Sequence, residues 1–189
     1  MLSNFIRTAF CLFFGGMLAF SVAAQDKLSL PAAIHALSGE WSGVLTYRDF
    51  RTNERVSIPH DRSISVAADG SFATSENTYT DPGYKVYSAE LFRATTDQLT
   101  IASTTRSSVE VTSYEMSSLT GEETAWTAVF DGKGSDNGGP ADVRMHIDVS
   151  PTTLSIRRMV RSDGATEFAF RNEMVFERGS VPTEAIGSK

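Results

Sequence analysis

Apolar and polar positions alternate with a period of two along most of the chain from Trp41 onward, which is the pattern of half-buried β-strands. Turn-forming pairs such as Asp69-Gly70 and Asp163-Gly164 separate the alternating stretches. The predicted strands are 41–50, 55–58, 63–67, 71–76, 85–93, 98–103, 109–119, 124–130, 143–149, 153–161 and 166–177. Since hairpin turns join them with no helix between, the pattern predicts an antiparallel up-and-down β-barrel of about 8–10 strands. An open sandwich is the alternative, and closure is favoured because it removes exposed strand edges.

A short helix is predicted just before the first strand. Leu30, Ile34 and Leu37 recur on one helical face, Ser29 is placed to cap the N-terminus, and Gly39 is placed to end the helix. A helix of about eight residues is too short to be stable alone. We therefore expect its apolar stripe to pack against one end of the barrel.

Barrel closure should bring the last strand beside the first. In that arrangement Phe176 and Arg178 lie next to Trp41, at the end covered by the helix. A guanidinium stacks favourably on an indole ring. The prediction is a buried Trp41 in contact with Phe176 or Arg178, with Arg171 as its partner if the register is longer.

The last hairpin can be registered from its turn. A three-residue loop over 162–164, with Gly164 in the left-handed region, pairs Arg161 with Ala165. A two-residue loop would set the apolar faces of the two strands against each other, which is costly when one face is buried. The chosen register pairs Val160 with Thr166, Arg158 with Phe168, Ile156 with Phe170, and Leu154 with Asn172.

This register carries two polar side chains onto the apolar face of the hairpin. Arg158 and Asn172 would share that face with Phe168 and Phe170. Arginine is rarely buried without a partner, so the pair is a candidate site for an anion or a carbonyl group. The alternatives are that Arg158 reaches water at the rim or neutralises a structural carboxylate.

The segment Leu37-Ser38-Gly39-Glu40-Trp41-Ser42-Gly43, with its continuation to Phe50, resembles the opening of lipocalin-like (calycin) barrels and of exported bacterial lipocalin-like proteins of unassigned function. The resemblance implies a barrel that encloses a small, largely apolar ligand. The candidate ligand-binding residues are Arg158, Asn172, Tyr47, Tyr87, Trp126 and Phe170. Further interior positions are expected at Phe130, Leu45, Leu91 and Ile101.

The N-terminus has the three parts of a secretory signal: Arg7 in a short charged region, an apolar run over 9–20, and small residues before a cut between Ala24 and Gln25. The apolar run is shorter than the roughly 20 residues of a membrane span. The chain is therefore divided into a signal peptide (1–24), a barrel domain (25–179) and a flexible C-terminal tail (180–189). We expect a periplasmic or secreted protein that does not span the membrane after cleavage.

The cysteine content and the net charge exclude some means of stabilisation and some classes of binding partner. The only cysteine, Cys11, lies in the signal, so the exported domain must be stabilised by its core rather than by disulfides. Without Arg7 the chain has 16 basic and 23 acidic residues, a net charge of −7, which argues against a nucleic-acid partner. A membrane-embedded barrel is disfavoured because Arg144, His146 and Asp148 follow one another on one strand face.

No residue set forms a catalytic or metal motif. His35 is expected on the helix surface, His60 in a charged loop and His146 toward solvent, and none has a metal-ligand spacing. The stretch 131–139 resembles a calcium loop, but Lys133 replaces an oxygen ligand, so a flexible loop is predicted. No cofactor is expected.

Two functions follow from these patterns. The first is an exported, soluble barrel that binds a small, largely apolar molecule in its interior. The second is a non-catalytic structural or interaction module of the cell envelope with a filled core, as small barrels often have. An enzyme without a motif stays an alternative, since a barrel interior can assemble a site from distant strands.

Overall fold

The computed structural model describes residues 27–104 and 108–179. It opens with a short α-helix, α1 (Leu30–Ile34), that continues as a 3₁₀ turn over His35–Leu37. The strands of the described residues are β1 (Gly39–Arg48), β2 (Arg55–Val66), β3 (Phe72–Asp81), β4 (Tyr84–Ala94), β5 (Gln98–Thr104), β6 (Val109–Glu122), β7 (Ala125–Asp136), β8 (Gly139–Val149), β9 (Thr153–Ser162) and β10 (Ala169–Arg178). The predicted signal peptide and C-terminal tail lie outside the described residues.

The ten strands form a closed antiparallel barrel in which each strand pairs with the next along the chain. Closure occurs between β1 and β10, in a register that runs from Trp41 opposite Arg178 to Tyr47 opposite Asn172. The predicted all-β barrel and its strand number are therefore confirmed. Within the described residues, no helix is long and apolar enough to cross a membrane.

The helix covers one end of the barrel, as predicted. Leu30, Ile34 and Leu37 are buried, and the indole N–H of Trp126 donates to the Ala33 carbonyl at 2.7 Å. Trp41 is 1% exposed, and the Arg178 guanidinium lies 4.1 Å from its ring centroid. At this end the interior is filled by side chains.

Two strand predictions are corrected. The runs 55–58 and 63–67 belong to the single strand β2, because Pro59 lies one residue beyond the β2–β3 pairing and its missing N–H costs that ladder nothing. The stretch 131–139 is not a flexible loop. It is the end of β7 and the start of β8, joined at Asn137-Gly138 with φ of 49° and 79°, the left-handed pair of a tight hairpin turn.

The register of the last hairpin is also corrected. Gly164 has the predicted positive φ (79°), but Leu154 pairs with Phe176 rather than Asn172, four residues further along. The connection spans residues 163–168, and a β-bulge lies between Phe170 and Asn172. From Leu154 to Arg158 the shift is an even number of residues, so the inward face is unchanged there. Beyond the bulge the shift is three residues, since Val160 pairs with Ala169 rather than Thr166, and Phe170, opposite Met159, is turned to the outer face. Phe168, however, lies on the outer face. The guanidinium carbons of Arg144 and Arg161 lie 4.6 Å and 4.9 Å from the centroid of its ring.

Candidate functional site

The half of the barrel away from the helix encloses a cavity of about 210 Å³. One part of its wall is apolar, and the other carries carboxylates, hydroxyls, a guanidinium and an amide. The apolar residues are Leu45, Ile101, Met145, Ile156 and Met174. The polar ones are Tyr79, Glu90, Ser103, Glu110, Thr112, Tyr114, Arg158 and Asn172.

Small inward-facing residues make this space. Ser103 and Thr112 line the cavity on β5 and β6, where larger side chains would fill it. On β7 a Cβ added to Gly132 would come within 2.8 Å of the Tyr114 ring, and one added to Gly134 within 3.4 Å of Arg158 Nη2. The two glycines thus give the Tyr114 and Arg158 side chains room to lie across the inner face of β7.

Arg158 and Asn172 are directly paired across β9 and β10 and both line the cavity. Arg158 Nη2 makes one long hydrogen bond, 3.4 Å, to the carbonyl of Ser135. Arg158 Nε and Asn172 Oδ1 are buried and have no hydrogen-bond partner in the described parts of the chain. A buried polar group without a partner costs about 1–3 kcal/mol. These two atoms are therefore available to a bound molecule.

A buried polar network lies between the cavity and the helix-covered end. Arg62 pairs with Glu90, and its Nε donates to Ser75 Oγ at 2.7 Å. Ser75 Oγ in turn donates to Asn77 Oδ1 at 3.2 Å. Glu90 also accepts from Ser103 Oγ at 3.3 Å, so the network ends at the cavity wall.

His60 belongs to this network, and its predicted position in a charged loop is wrong. Its side chain is fully buried in the barrel and stacks on Tyr79, with 4.1 Å between the two ring centroids. Its Nε2 donates to Asn77 Oδ1 at 3.2 Å. Burial, reinforced by the charge of Arg62, lowers the pKa of His60 to about 4. The histidine is thus neutral at neutral pH. By contrast, His35 is exposed and His146 lies on the outer face, as predicted.

The rim of the open end is held together by the bulged residue Arg171. Its Nε lies 2.8 Å from Asp136 Oδ1, and its Nη1 donates to the carbonyl of Arg48. The guanidinium also lies 3.8 Å from the ring centroid of Phe50. One side chain therefore connects β10 to the ends of β1 and β7.

The predicted ligand-binding residues separate into three groups. Arg158 and Asn172 line the cavity, and Tyr47 lies on the inner face opposite Asn172. Trp126 is buried beneath the helix, in the filled end. The prediction of Phe170 in the interior is wrong: it pairs with Met159 on the outer face near the rim, and the Arg55 guanidinium lies 4.2 Å from its ring centroid.

Tyr87 does not line the interior. It is 66% exposed on the outer face of β4, and Leu91, also predicted inside, is 43% exposed on the same face. The inward positions of β4 are instead Ser88, Glu90 and Phe92. Of the other expected interior residues, Leu45 and Ile101 line the cavity and Phe130 is fully buried.

Sequence reasoning missed Glu90, Glu110 and His60. The prediction of Tyr87 and Leu91 in the interior places Glu90 on the outer face of β4, whereas the structure has the reverse arrangement. On β6 the apolar Val109 and Val111 flank Glu110 but lie exposed on the outer face. The inward position of His60 could have been predicted, because positions 58, 60, 62 and 64 lie on one face of a strand and Ile58 and Ile64 mark that face as the inner one. No group of three or more potential metal ligands occurs in the described residues.

Comparisons with known proteins inform the fold only. No family model matches the chain, and no curated protein matches it. Among solved structures, the crystal structure of Rv2717c from M. tuberculosis is similar, with a TM-score of 0.58 and 14% sequence identity over 82% of this chain and 100% of that one. The chain therefore shares its overall barrel architecture with that protein.

Proposed function

We propose that this chain is an exported β-barrel that holds a small molecule in its interior cavity. The observation that carries the proposal is the pair of buried, unpartnered atoms, Arg158 Nε and Asn172 Oδ1, on the wall of an internal space. Their desolvation is uncompensated within the described chain, and a ligand with matching polar atoms offsets it. The lipocalin-like opening around Trp41 agrees with a ligand-holding barrel.

The cavity favours a smaller and more polar ligand than the sequence predicts. Its 210 Å³ lies below the roughly 300–1,000 Å³ of sites for drug-sized molecules. It equals the volume of about seven waters at roughly 30 Å³ each. The ligand is therefore a molecule of few non-hydrogen atoms, with a polar group near Arg158 and a short apolar part against Ile156 and Met174.

The second candidate is an interaction module with no ligand. Its support is the exposed apolar strip on the outer face of β4 to β6, where Leu91, Ala102 and Val111 lie side by side, together with the filled end beneath the helix. Exposed apolar patches mark interaction surfaces when they are large. Retention of a small molecule distinguishes the two functions.

Native mass spectrometry of protein purified from its natural host tests the proposal. We expect a mass excess from a retained small molecule, and we expect Ile101→Phe to abolish it by filling the cavity. Val111→Phe is the matched control, since it adds the same ring to the outer face one strand away and should leave retention unchanged. Protein with no mass excess, or equal retention in the two variants, contradicts ligand binding in the interior.

Export is tested separately, because the signal segment lies outside the described residues. N-terminal sequencing of the protein recovered from the cell envelope or medium should begin at Gln25. Recovery of a chain that starts at Met1 in that fraction would contradict signal cleavage at Gln25 and would leave the ligand-binding proposal unchanged.

A further inference from the structure

Charges of both signs line the cavity, on opposite walls. Glu90 and Glu110 both pair with Ser103, so they lie on the inner face of three adjacent strands, β4 to β6. Arg158 and Asn172 lie on β9 and β10. In the closed order, β10 and β5 are separated by four strands on either side, which makes the two walls diametrically opposed.

Two of the charges lining the cavity have no partner of opposite charge among the described residues. Glu90 is already neutralised by Arg62. Glu110 is solvent-exposed, lines the cavity, and has no hydrogen-bond or ion-pair partner among the described residues. Arg158 has no carboxylate partner in the same part of the chain and retains its unpartnered Nε. The site therefore presents one free positive and one free negative charge.

Both charges act on a single group at the cavity wall, the hydroxyl of Tyr114. Burial raises the pKa of Tyr114, the positive charge of Arg158 lowers it, and the negative charge of Glu110 raises it. Tyr114 itself is buried at the base of the cavity. Arg158 and Glu110 also line the same cavity of about 210 Å³, so one small molecule can reach both charges.

A ligand with a single charge fits this arrangement poorly. A simple anion pairs with Arg158 but faces the carboxylate of Glu110. A simple cation pairs with Glu110 but faces the guanidinium of Arg158. Like charges brought together in a partly desolvated site are repelled. A molecule with both charges and no net charge satisfies both walls.

We propose that the cavity binds a small zwitterion of the amino-acid type. Its carboxylate accepts from Arg158, its ammonium donates to Asn172 Oδ1 and lies toward Glu110, and its short apolar side chain lies against Leu45, Ile156 and Met174. This inference rests on the proposed function and names its ligand class. The polar wall supplies charge selection, and the apolar wall limits the side chain to a few carbons.

Titration with a matched set of probes tests this class. Leucine carries both charges, isocaproate only the carboxylate, isopentylamine only the ammonium, and isopentanol neither, while all four share one branched apolar group. Binding is followed by calorimetry and by the methyl resonances of Met145 and Met174, which line the cavity. We expect leucine to bind at least about tenfold more tightly than each of the others, as expected for one charge-assisted hydrogen bond lost.

Two variants assign the charges to the walls. Arg158→Gln should reduce leucine affinity to near that of isopentylamine, and Glu110→Gln should reduce it to near that of isocaproate. Glu115→Gln is the matched control, because it removes the same charge from the outer face of the same strand and should change nothing. If Arg158→Gln fails to fold, Glu110→Gln alone carries the test, since its side chain is exposed.

The outcomes separate this inference from the proposed function. If isopentanol or isocaproate binds as tightly as leucine while the Met145 and Met174 resonances shift, the cavity binds small molecules but the zwitterion assignment is overturned. If leucine binds tightest but Glu110→Gln has no effect, the assignment is overturned too. If no probe binds although native mass spectrometry finds a retained molecule, that molecule belongs to another class, and the zwitterion proposal fails alone.

Discussion

Trp41→Ala is expected to destabilise the protein by about 3–5 kcal/mol, the cost of removing a large buried aromatic side chain and leaving a cavity. Trp41 is 1% exposed, its indole N–H donates to the Leu37 carbonyl at 2.8 Å, and Arg178 stacks on its ring. The substitution therefore removes contacts between the helical cap, the first strand and the last strand together. Urea denaturation followed by circular dichroism measures the loss, which is enough to unfold a marginal domain.

Two controls localise this effect. Trp41→Phe keeps most of the apolar contact and should cost clearly less. Val44→Ala lies on the exposed outer face of the same strand and should cost less than about 1 kcal/mol. If Trp41→Ala costs no more than Val44→Ala, the helical segment and the β1–β10 seam do not close the barrel as described.

The second large effect is a loss of stability at mildly acidic pH, caused by His60. The folded protein holds this imidazole neutral, with a pKa of about 4, whereas an unfolded chain has a histidine pKa near 6.5. Below pH 6.5 the unfolded state therefore binds a proton that the folded state does not, and stability falls until the pH reaches about 4. With 1.36 kcal/mol per pKa unit, the total loss is about 3 kcal/mol.

Denaturation curves of wild type and His60→Gln between pH 7 and pH 4 isolate this contribution. Carboxylates common to both proteins cancel in the difference, so the wild-type protein should lose stability more steeply than the variant. His35→Gln is the matched control, because that histidine is exposed on the helical segment, and its curve should follow the wild type. Parallel curves for wild type and His60→Gln would mean that His60 is protonated without penalty in the folded state.

Much of the fold could be predicted from local patterns. Period-two alternation and turn residues were sufficient for an antiparallel barrel, since each strand pairs with its sequence neighbour. The pairing of Trp41 with Arg178 followed from closure alone, because the last strand must end where the first begins. The burial of the apolar helix residues against the barrel was predictable because so short a helix is not stable in isolation.

The last hairpin shows where local patterns fail. Its turn glycine was identified correctly, but the bulge beside Arg171 and the connection over 163–168 moved the register by four residues. A bulge depends on contacts with distant residues, here Asp136 at the end of β7 and Phe50 in the turn after β1, that no local pattern contains. Arg158 kept its inward position because a shift by an even number preserves the face.

Local patterns were sufficient for one wall of the candidate site and failed for the other. Arg158 and Asn172 were found because they interrupt an otherwise apolar face. Glu90 and Glu110 were missed because their polar inward positions alternate with apolar outward ones, the reverse of the usual pattern for a half-buried strand. An inward polar face is the signature of a lined cavity, and it can be recognised only when the faces are assigned by the whole barrel.

Methyl NMR of the methionines tests whether the interior of the barrel holds a small molecule. Met145 and Met174 line the cavity, whereas Met159 lies on the outer face of β9, opposite Arg144 and Phe170. Spectra of protein purified from its natural host are compared with spectra after denaturation, dialysis and refolding, which remove a retained molecule. We expect the Met145 and Met174 methyl resonances to differ between the two samples, while that of Met159 coincides. Coincident resonances for all three methyl groups would contradict a retained molecule in the interior.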